Sequence, residues 1–335
     1  MMASLRISVI IPTFNRAALL RETLRHVLAQ TSPAEEVIVV DDGSTDGTAE
    51  MVAADFAPQV TVLRIANAGD LAARNHGLSV ATGDLVAFCD SDDLWDAGFL
   101  AEMRGIWRRE PGLRVAYANF RILAETADQK DDKFGDAPPG FWEGMRELGE
   151  DQAVFDRPIV DRLVRFQPFF PSCMVADREF LLSIGGWDES VGRVVGTDFA
   201  TVLLLGEHAP FGVIRRPLVS IRKHEANYSG DVQTMNLGDA AILEHVLARR
   251  PTLRPLAREI TESIARRRRE AFDIAFARHD FEAVLAIDAM LGASGRSASQ
   301  RVKAMVARWP PPFSGLAAAS LLRLGSWRAG TSSAG

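Results

Sequence analysis

Residues 7–48 read ISVIIPTFNRAALLRETLRHVLAQTSPAEEVIVVDDGSTDGT. Two short β-branched runs, ISVII (7–11) and VIVV (37–40), lack polar alternation, as strands covered on both faces do. Between them residues 17–30 set Leu20, Leu24, Val27 and Leu28 on one helical stripe. This is a β-α-β unit, and the same alternation runs on: a helix near 46–56, a strand at 60–65, a helix at 69–81, a strand at 84–89. The repeat predicts a doubly wound, mostly parallel α/β sheet flanked by helices, with ligands taken at the carboxyl ends of the strands.

Working outward, residues 124–160 turn charged and rich in Pro and Gly (ETADQKDDKFGDAPPGFWEG), which reads as a long surface loop or lid. Regular structure is expected to resume at 171–176. Beyond about residue 232 helical periodicity takes over: Leu256, Ile260 and Ile264 recur at four-residue spacing, and AFDIAFARHDFEAVLAIDAML reads as a helical hairpin. The expected organisation is a catalytic domain over 1–232, with a nucleotide half to about 120 and an acceptor half after it, and a helical region over 233–335 whose TSSAG end is disordered.

The chain has 335 residues, 47% hydrophobic and 24% charged, enough for a sizeable core. Its net charge of -6 gives no electrostatic reason to expect a nucleic-acid partner. Cys89 and Cys173 each sit in an apolar stretch, so the reading is two buried thiols in a reducing, cytoplasmic setting. The apolar start is too short for a signal-peptide core, and Trp309–Leu322 is too short to span a bilayer. In the tail, the arginine run 266–269 reads as a solvated helix face, with an anionic-lipid contact or a docking site as alternatives. The apolar end (Leu316, Leu321, Leu322, Leu324) packs as core by default; peripheral membrane contact at the inner face of the membrane, or dimerisation, are its alternatives.

The chemistry lies in the loops after the strands. Pro12 is expected to end the first strand and to leave Thr13 and Asn15 open to a ligand. In VVDDGSTDGT, Gly43 permits a turn, Ser44 or Asp46 can cap the next helix, and Asp41 and Asp42 close a buried strand. A carboxylate emerging from such a strand must find a donor, and a pyrimidine ring N–H is one. Asn67 opens a third loop, and Arg74 on the following helix can hold a base or phosphate, a surface ion pair being the alternative. The fourth is Asp90-Ser91-Asp92-Asp93, three carboxylates in four residues, which repel one another unless a cation neutralises them. Oxygen ligands suit Mg²⁺ or Mn²⁺, and Asp93 can alternatively start a helix.

In this order and at these intervals VIIPTFNR, VDDGSTDGT, NAGDLAARNHG and FCDSDDLW closely resemble the family 2 inverting glycosyltransferases, of GT-A fold type. The resemblance continues through 169–190, 196–206 and 217–230. It implies that Pro12, Thr13, Asn15, Asp41, Asp42, Asn67, Arg74, Asp90 and Ser91 line a nucleotide-sugar site. Asp90 and Asp92 form the Asp-x-Asp pair, and Asp92 with His224 holds the divalent ion. Asp198 is the base that deprotonates an acceptor hydroxyl, although Thr197 stands where the family has glutamate. Trp187 and Asp188 fall on the acceptor side, and His224, Asn227 and Ser229 match a late His-x-x-Asn-x-Ser pattern. Implied partners are a UDP- or dTDP-type sugar and a carbohydrate, lipid-linked or other hydroxyl acceptor, in cell-surface polysaccharide or glycoconjugate synthesis. Rivals are a sugar-phosphate nucleotidyltransferase, whose Gly-rich basic loop is missing after the first strand, a phosphohydrolase, and a decayed nucleotide-sugar-binding scaffold.

Overall fold

A computed structural model describes residues 5–124, 131–223, 231–292 and 295–332. The chain forms two compact units, Met1–Arg193 with Thr197–Asn227, and Val194–Gly196 with Tyr228–Gly335. The helical region was expected from 233, and its first helix starts at Val232.

The first unit is built on strands β1 (Ile7–Thr13), β2 (Glu36–Asp41), β3 (Thr61–Arg64), β4 (Leu85–Phe88), β5 (Leu94–Trp95), β6 (Val115–Ala124), β7 (Arg146–Glu147), β8 (Gln152–Phe155), β9 (Met174–Asp177) and β10 (Phe211–Lys223). Its helices are α1 (Ala17–Leu28), α2 (Thr48–Phe56), α3 (Asp70–Val80), α4 (Phe99–Arg109), α5 (Val160–Leu163), α6 (Arg178–Ser183) and α7 (Asp198–Gly206). The ten strands make one sheet in the order β3-β2-β1-β4-β9-β6-β10-β8-β7, with β5 paired to β10. β1, β2, β3 and β4 pair in parallel, as do β6 and β10, while β9 runs antiparallel between β4 and β6. Every residue of β1 is buried. Successive side chains of a strand point to opposite faces, so this sheet is covered on both sides, as its uninterrupted apolar runs require.

Strand order reverses at β1: β2 and β3 lie to one side and β4 to the other. Such a switch point opens a crevice at the carboxyl ends of the strands. Pro12 does not end β1, which pairs with β2 through Thr13. The reason is parity. The Ile10 carbonyl accepts from Cys89 N on the β4 side, and Pro12 faces that same side beyond the last β1–β4 pair, Ile10↔Phe88. A missing N–H costs nothing where no ladder continues.

Gly77 brings α3 down onto this region. A Cβ there would stand 2.5 Å from Ile10 Cγ2 and 3.2 Å from Val40 Cγ2. Gly77→Val is therefore expected to overpack the helix–sheet contact and cost roughly 1–3 kcal/mol in a denaturant titration; an unchanged midpoint would show that α3 can ride outward freely.

The stretch expected to be a surface loop or lid is packed over part of its length. Phe134 and Phe141 are buried, and Trp142 lies edge-on to Phe141 and tilted against Phe134. Beyond them β7 and β8 join the sheet edge. Residues 125–130 lie outside the described residues.

The second unit holds α8 (Val232–Arg249), α9 (Ala257–Ala277), α10 (Phe281–Leu291), α11 (Ala298–Ala307) and α12 (Phe313–Ser332). Phe272 and Phe276, one turn apart on α9, centre a core completed by Val284, Ile287 and Ala304. Side-chain caps fix the starts: Asp231 for α8, Asp280 for α10, and a Ser297–Gln300 capping box for α11. The arginine run is no simple solvated stripe. Arg267 is buried against Asp239 and Ser263, while Arg266 and Arg268 pair with Glu270 and Glu244. Four consecutive helical positions span too wide an arc for all to face water. Among the described residues no helix is long and apolar enough to cross a membrane. Helical backbone continues to Ser332; residues 333–335, the rest of the end expected to be disordered, lie outside the described residues.

Candidate active site

The last rung of the β1–β2 ladder pairs Thr13 with Asp41. Asp41 is fully buried, and its Oδ1 accepts from Ser44 N at 2.8 Å. Its Oδ2 has no hydrogen-bond partner, with Arg64 Nε standing off at 3.7 Å. The Thr13 hydroxyl, 4% exposed at residue level, is unpartnered too. Two orphaned polar groups on one rung are costly unless a ligand completes them.

The loop after β1 is braced against the loop after β2. Asn15, at φ 51°, donates its N–H to Ser44 Oγ at 2.9 Å and accepts from Thr45 N at 2.8 Å. Asp46 accepts from Ala17 N and Thr48 N, both at 3.1 Å, so it ties the starts of α1 and α2 together. Neither Ser44 nor Asp46 is the N-cap of α2; that position is Gly47 in the left-handed region. Asp42 is committed as well: its carboxylate takes Ala68 N at 2.7 Å and Gly69 N at 2.9 Å, with Asn67 Nδ2 at 3.2 Å. Asp42 and Asn67 thus frame the loop that leads into α3.

Arg74 reaches from α3 to the acidic cluster. It is 4% exposed, holding Asp70 Oδ2 at 2.5 Å and Asp90 Oδ1 at 2.6 Å. Its guanidinium carbon lies 4.9 Å from the Trp187 ring centroid. Trp187 is only 1% exposed, locked by Asn75 through both its N–H and carbonyl and packed edge-on against Phe88. It presents no open face to a sugar, and its contact is with Arg74. Asp188 receives Ser190 N at 3.1 Å and caps the turn that follows.

In the cluster, Asp90 keeps a third of its side chain accessible, whereas Ser91, Asp92 and Asp93 are buried. Burial, opposed by Arg74 and reinforced by Asp92, pushes the Asp90 carboxyl above its ordinary value near 3.8, a rise tempered by the water that still reaches it. Asp92 pairs with Arg16, from the start of α1. Asp93 does not start a helix, since α4 begins at Phe99. It is a tie: Ser172 Oγ donates to it at 2.5 Å and Arg222 N of β10 at 3.1 Å. Burial, then the charges of Asp92 and Asp90, push its carboxyl well up. Burial drives Lys223 downward and Asp93 and Asp92 oppose that, which places its ammonium in their field.

Asp198 opens α7, after Thr197 at the N-cap position, where no side-chain cap bond forms. Its charge bears on Tyr117, whose hydroxyl is raised by burial first and by Asp198 second. Cys173 also acts on Tyr117, and Cys173 itself is raised by burial and then by Asp93 and Asp90. His224, Asn227 and Ser229 lie outside the described residues. Arg16, Arg64, Ser172 and Lys223 were not singled out from sequence; each gains its place from a partner at least 20 residues away, 76 in the case of Arg16.

Among the described residues no group of three or more His, Cys, Asp or Glu side chains is arranged to hold a metal. Two carboxylates on one loop still match the way Mg²⁺ is bound, by one or two carboxylates with substrate phosphates supplying further oxygens. Asp90 and Asp92 stand on one such loop, and each is paired to an arginine, Arg74 and Arg16.

The sequence matches the model for Glycosyl transferase family 2 over residues 8–169. Residues 8–169 belong to glycosyl transferase family 2. The matched stretch carries Thr13, Asp41, Arg74 and the Asp90–Asp93 cluster. An uncharacterised glycosyltransferase YibD of Escherichia coli K12 is 44% identical over 90 residues, 26% of either chain, so the chain spans only about a quarter of that relative. Among solved structures, mannosyltransferase PcManGT from Pyrobaculum calidifontis, in complex with GDP-Man and Mn²⁺, superposes with a TM-score of 0.53 at 21% identity, over 95% of this chain and 87% of that one. S. aureus TarS 1–349 in complex with UDP gives 0.57 at 17% identity, over 90% and 79%. The fold is the GT-A type α/β fold, with helices added at the C-terminus.

Proposed function

We propose that this protein is a glycosyltransferase that moves a sugar, with inversion, from a uridine or thymidine diphosphate donor to a hydroxyl acceptor, assisted by a divalent metal. The observation that carries the reading is the Thr13–Asp41 rung, with two orphaned buried groups at the same sheet end as Asp90 and Asp92. Uracil and thymine present one ring N–H flanked by carbonyls, which suits one open carboxylate oxygen and one hydroxyl. Guanine presents two adjacent donors, best met by both oxygens of a carboxylate, and Oδ1 of Asp41 already serves Ser44 N. Asp90 and Asp92, joined in this reading by His224, would hold Mn²⁺ or Mg²⁺, which would supply Lewis-acid stabilisation of the departing diphosphate.

The acceptor oxygen attacks the anomeric carbon as the bond to the diphosphate oxygen breaks. The nucleoside diphosphate leaves with the electron pair, and Asp198 takes the acceptor proton. One carboxylate base suffices, because the leaving group departs as a stabilised anion and needs no acid. The acceptor, carbohydrate or lipid-linked, enters on the side of Asp188 and residues 131–170. The two buried thiols accord with a cytoplasmic setting.

A thermal-shift comparison of UDP, dTDP and GDP with and without Mn²⁺ tests the donor reading. Ligand at about 100 times Kd adds about 2.7 kcal/mol, a shift of several degrees. UDP or dTDP is expected to shift the melting point only with Mn²⁺, and Mn²⁺ alone is expected to do little. A shift by GDP alone, or an equal shift without metal, would overturn it.

A further inference from the structure

The last acidic residue of the chain is Asp288. The 47 residues after it carry Arg296, Arg301, Lys303, Arg308, Arg323 and Arg328, whereas the rest of the chain holds 32 of the 38 basic residues and all 44 acids. Charge is thus segregated along the molecule, and the same stretch concentrates exposed apolar surface. Ten large apolar side chains are exposed among the described residues, and five fall within 302–316: Val302, Met305, Trp309, Phe313 and Leu316, at 44–67%.

Helical spacing gathers these side chains on one exposed side of each helix. On α11 and just past its end, Arg301, Val302, Met305, Arg308 and Trp309 share the exposed side, while Ala304, Val306 and Ala307 pack into the core around Phe272 and Phe276. On α12, Phe313, Leu316, Ser320 and Arg323 are exposed and Ser314 and Ala318 buried. A helix with one side in a core ordinarily turns polar residues outward. Here both sides are apolar, and the outer one is edged by cations. Lys303 is paired to Asp273 and Arg308 to Asp288, yet the Arg308 side chain remains 62% exposed.

We propose that the outer face of α11 and the first turns of α12 is a docking surface for an anionic lipid bilayer. Trp309, Phe313, Leu316 and Met305 would enter the headgroup–acyl boundary, and Arg301, Arg308 and Arg323 would meet lipid phosphates. A nucleic acid would use the cations but leave the aliphatic side chains in water. A second copy, docking this face on itself about a two-fold axis, would set arginine against arginine. The surface lies wholly within the helical unit and does not depend on the donor reading.

The experiment is flotation of the full chain with phosphatidylcholine vesicles, plain or containing about 30 mol% phosphatidylglycerol. The wild type is expected to float at least about tenfold more with the anionic vesicles, and partly to resist high salt through its apolar contact. Trp309→Ser with Phe313→Ser should lower vesicle binding about tenfold or more, since both lose apolar burial; Arg301→Glu should weaken it as well. Leu182→Ser, removing an exposed apolar group from the other unit, should leave it unchanged. Melting curves of the variants establish that exposed positions were changed without unfolding. The proposal is overturned if the double variant floats like wild type, if neutral vesicles serve equally, if a short oligonucleotide binds more tightly than the vesicles, or if light scattering shows a dimer that the double variant loses.

Discussion

Asp198→Asn is expected to lower kcat by roughly 10²–10⁴-fold while leaving the nucleotide-dependent thermal shift intact. Asparagine keeps the shape and hydrogen-bonding reach of the side chain but cannot accept a proton from an acceptor hydroxyl. The structural cost should be small. Asp198 is the first residue of α7 rather than its cap, and replacing one carboxylate in a first turn forfeits about 0.3–1 kcal/mol of helix-dipole interaction. The side chain is half-buried, and its charge acts on the buried Tyr117 hydroxyl. Single-turnover rates with a chosen acceptor, measured beside the UDP-Mn²⁺ shift, separate chemistry from binding. A variant that turns over at the wild-type rate would remove Asp198 as the base, whatever its fold.

The parts of this molecule that were legible in the sequence are those determined locally. The β-branched runs at 7–11 and 37–40, and the Leu20-Leu24-Val27 stripe, announce burial through their own periodicity, and they form β1, β2 and α1. The loops after β1, β2 and β4 were readable for the same reason, because a strand end followed by glycine and carboxylates has few alternatives. What was not legible depends on partners far along the chain. Asp93 looks like a helix start in DSDDLW, yet Ser172 and Arg222, 79 and 129 residues away, claim both of its oxygens. Arg267 is one of four consecutive arginines, and only the position of Asp239 selects it for burial. The stretch around 134–142 is polar in composition, and that masks how Phe134, Phe141 and Trp142 pack together. Trp187 reads equally as core or acceptor platform until Arg74 is seen over its ring.

Arg74→Met is the second large expected effect, and it tests whether the cluster is held together from α3. Methionine preserves most of the stem and its packing against Trp187 but deletes the cation that bridges Asp70 and Asp90. Removing one partner of a fully buried pair costs about 3–5 kcal/mol. Here Asp70 is 54% and Asp90 33% exposed, so water can replace part of what is lost, and roughly 2–3 kcal/mol is the expectation for the denaturant midpoint. The functional loss should exceed the structural one. Without Arg74, Asp90 faces Asp92 with burial still opposing its charge, and a carboxylate that resists ionisation is a poor metal ligand. The Mn²⁺-dependent nucleotide shift is therefore expected to vanish at temperatures where the variant is still folded. Arg74→Lys should fall between the two, because an ammonium keeps the charge but cannot present two parallel donors to carboxylates on different elements. A methionine variant that melts with the wild type and keeps the shift would mean that Asp90 is positioned by its own loop, through Ser172, and that Arg74 serves only the helix it sits on.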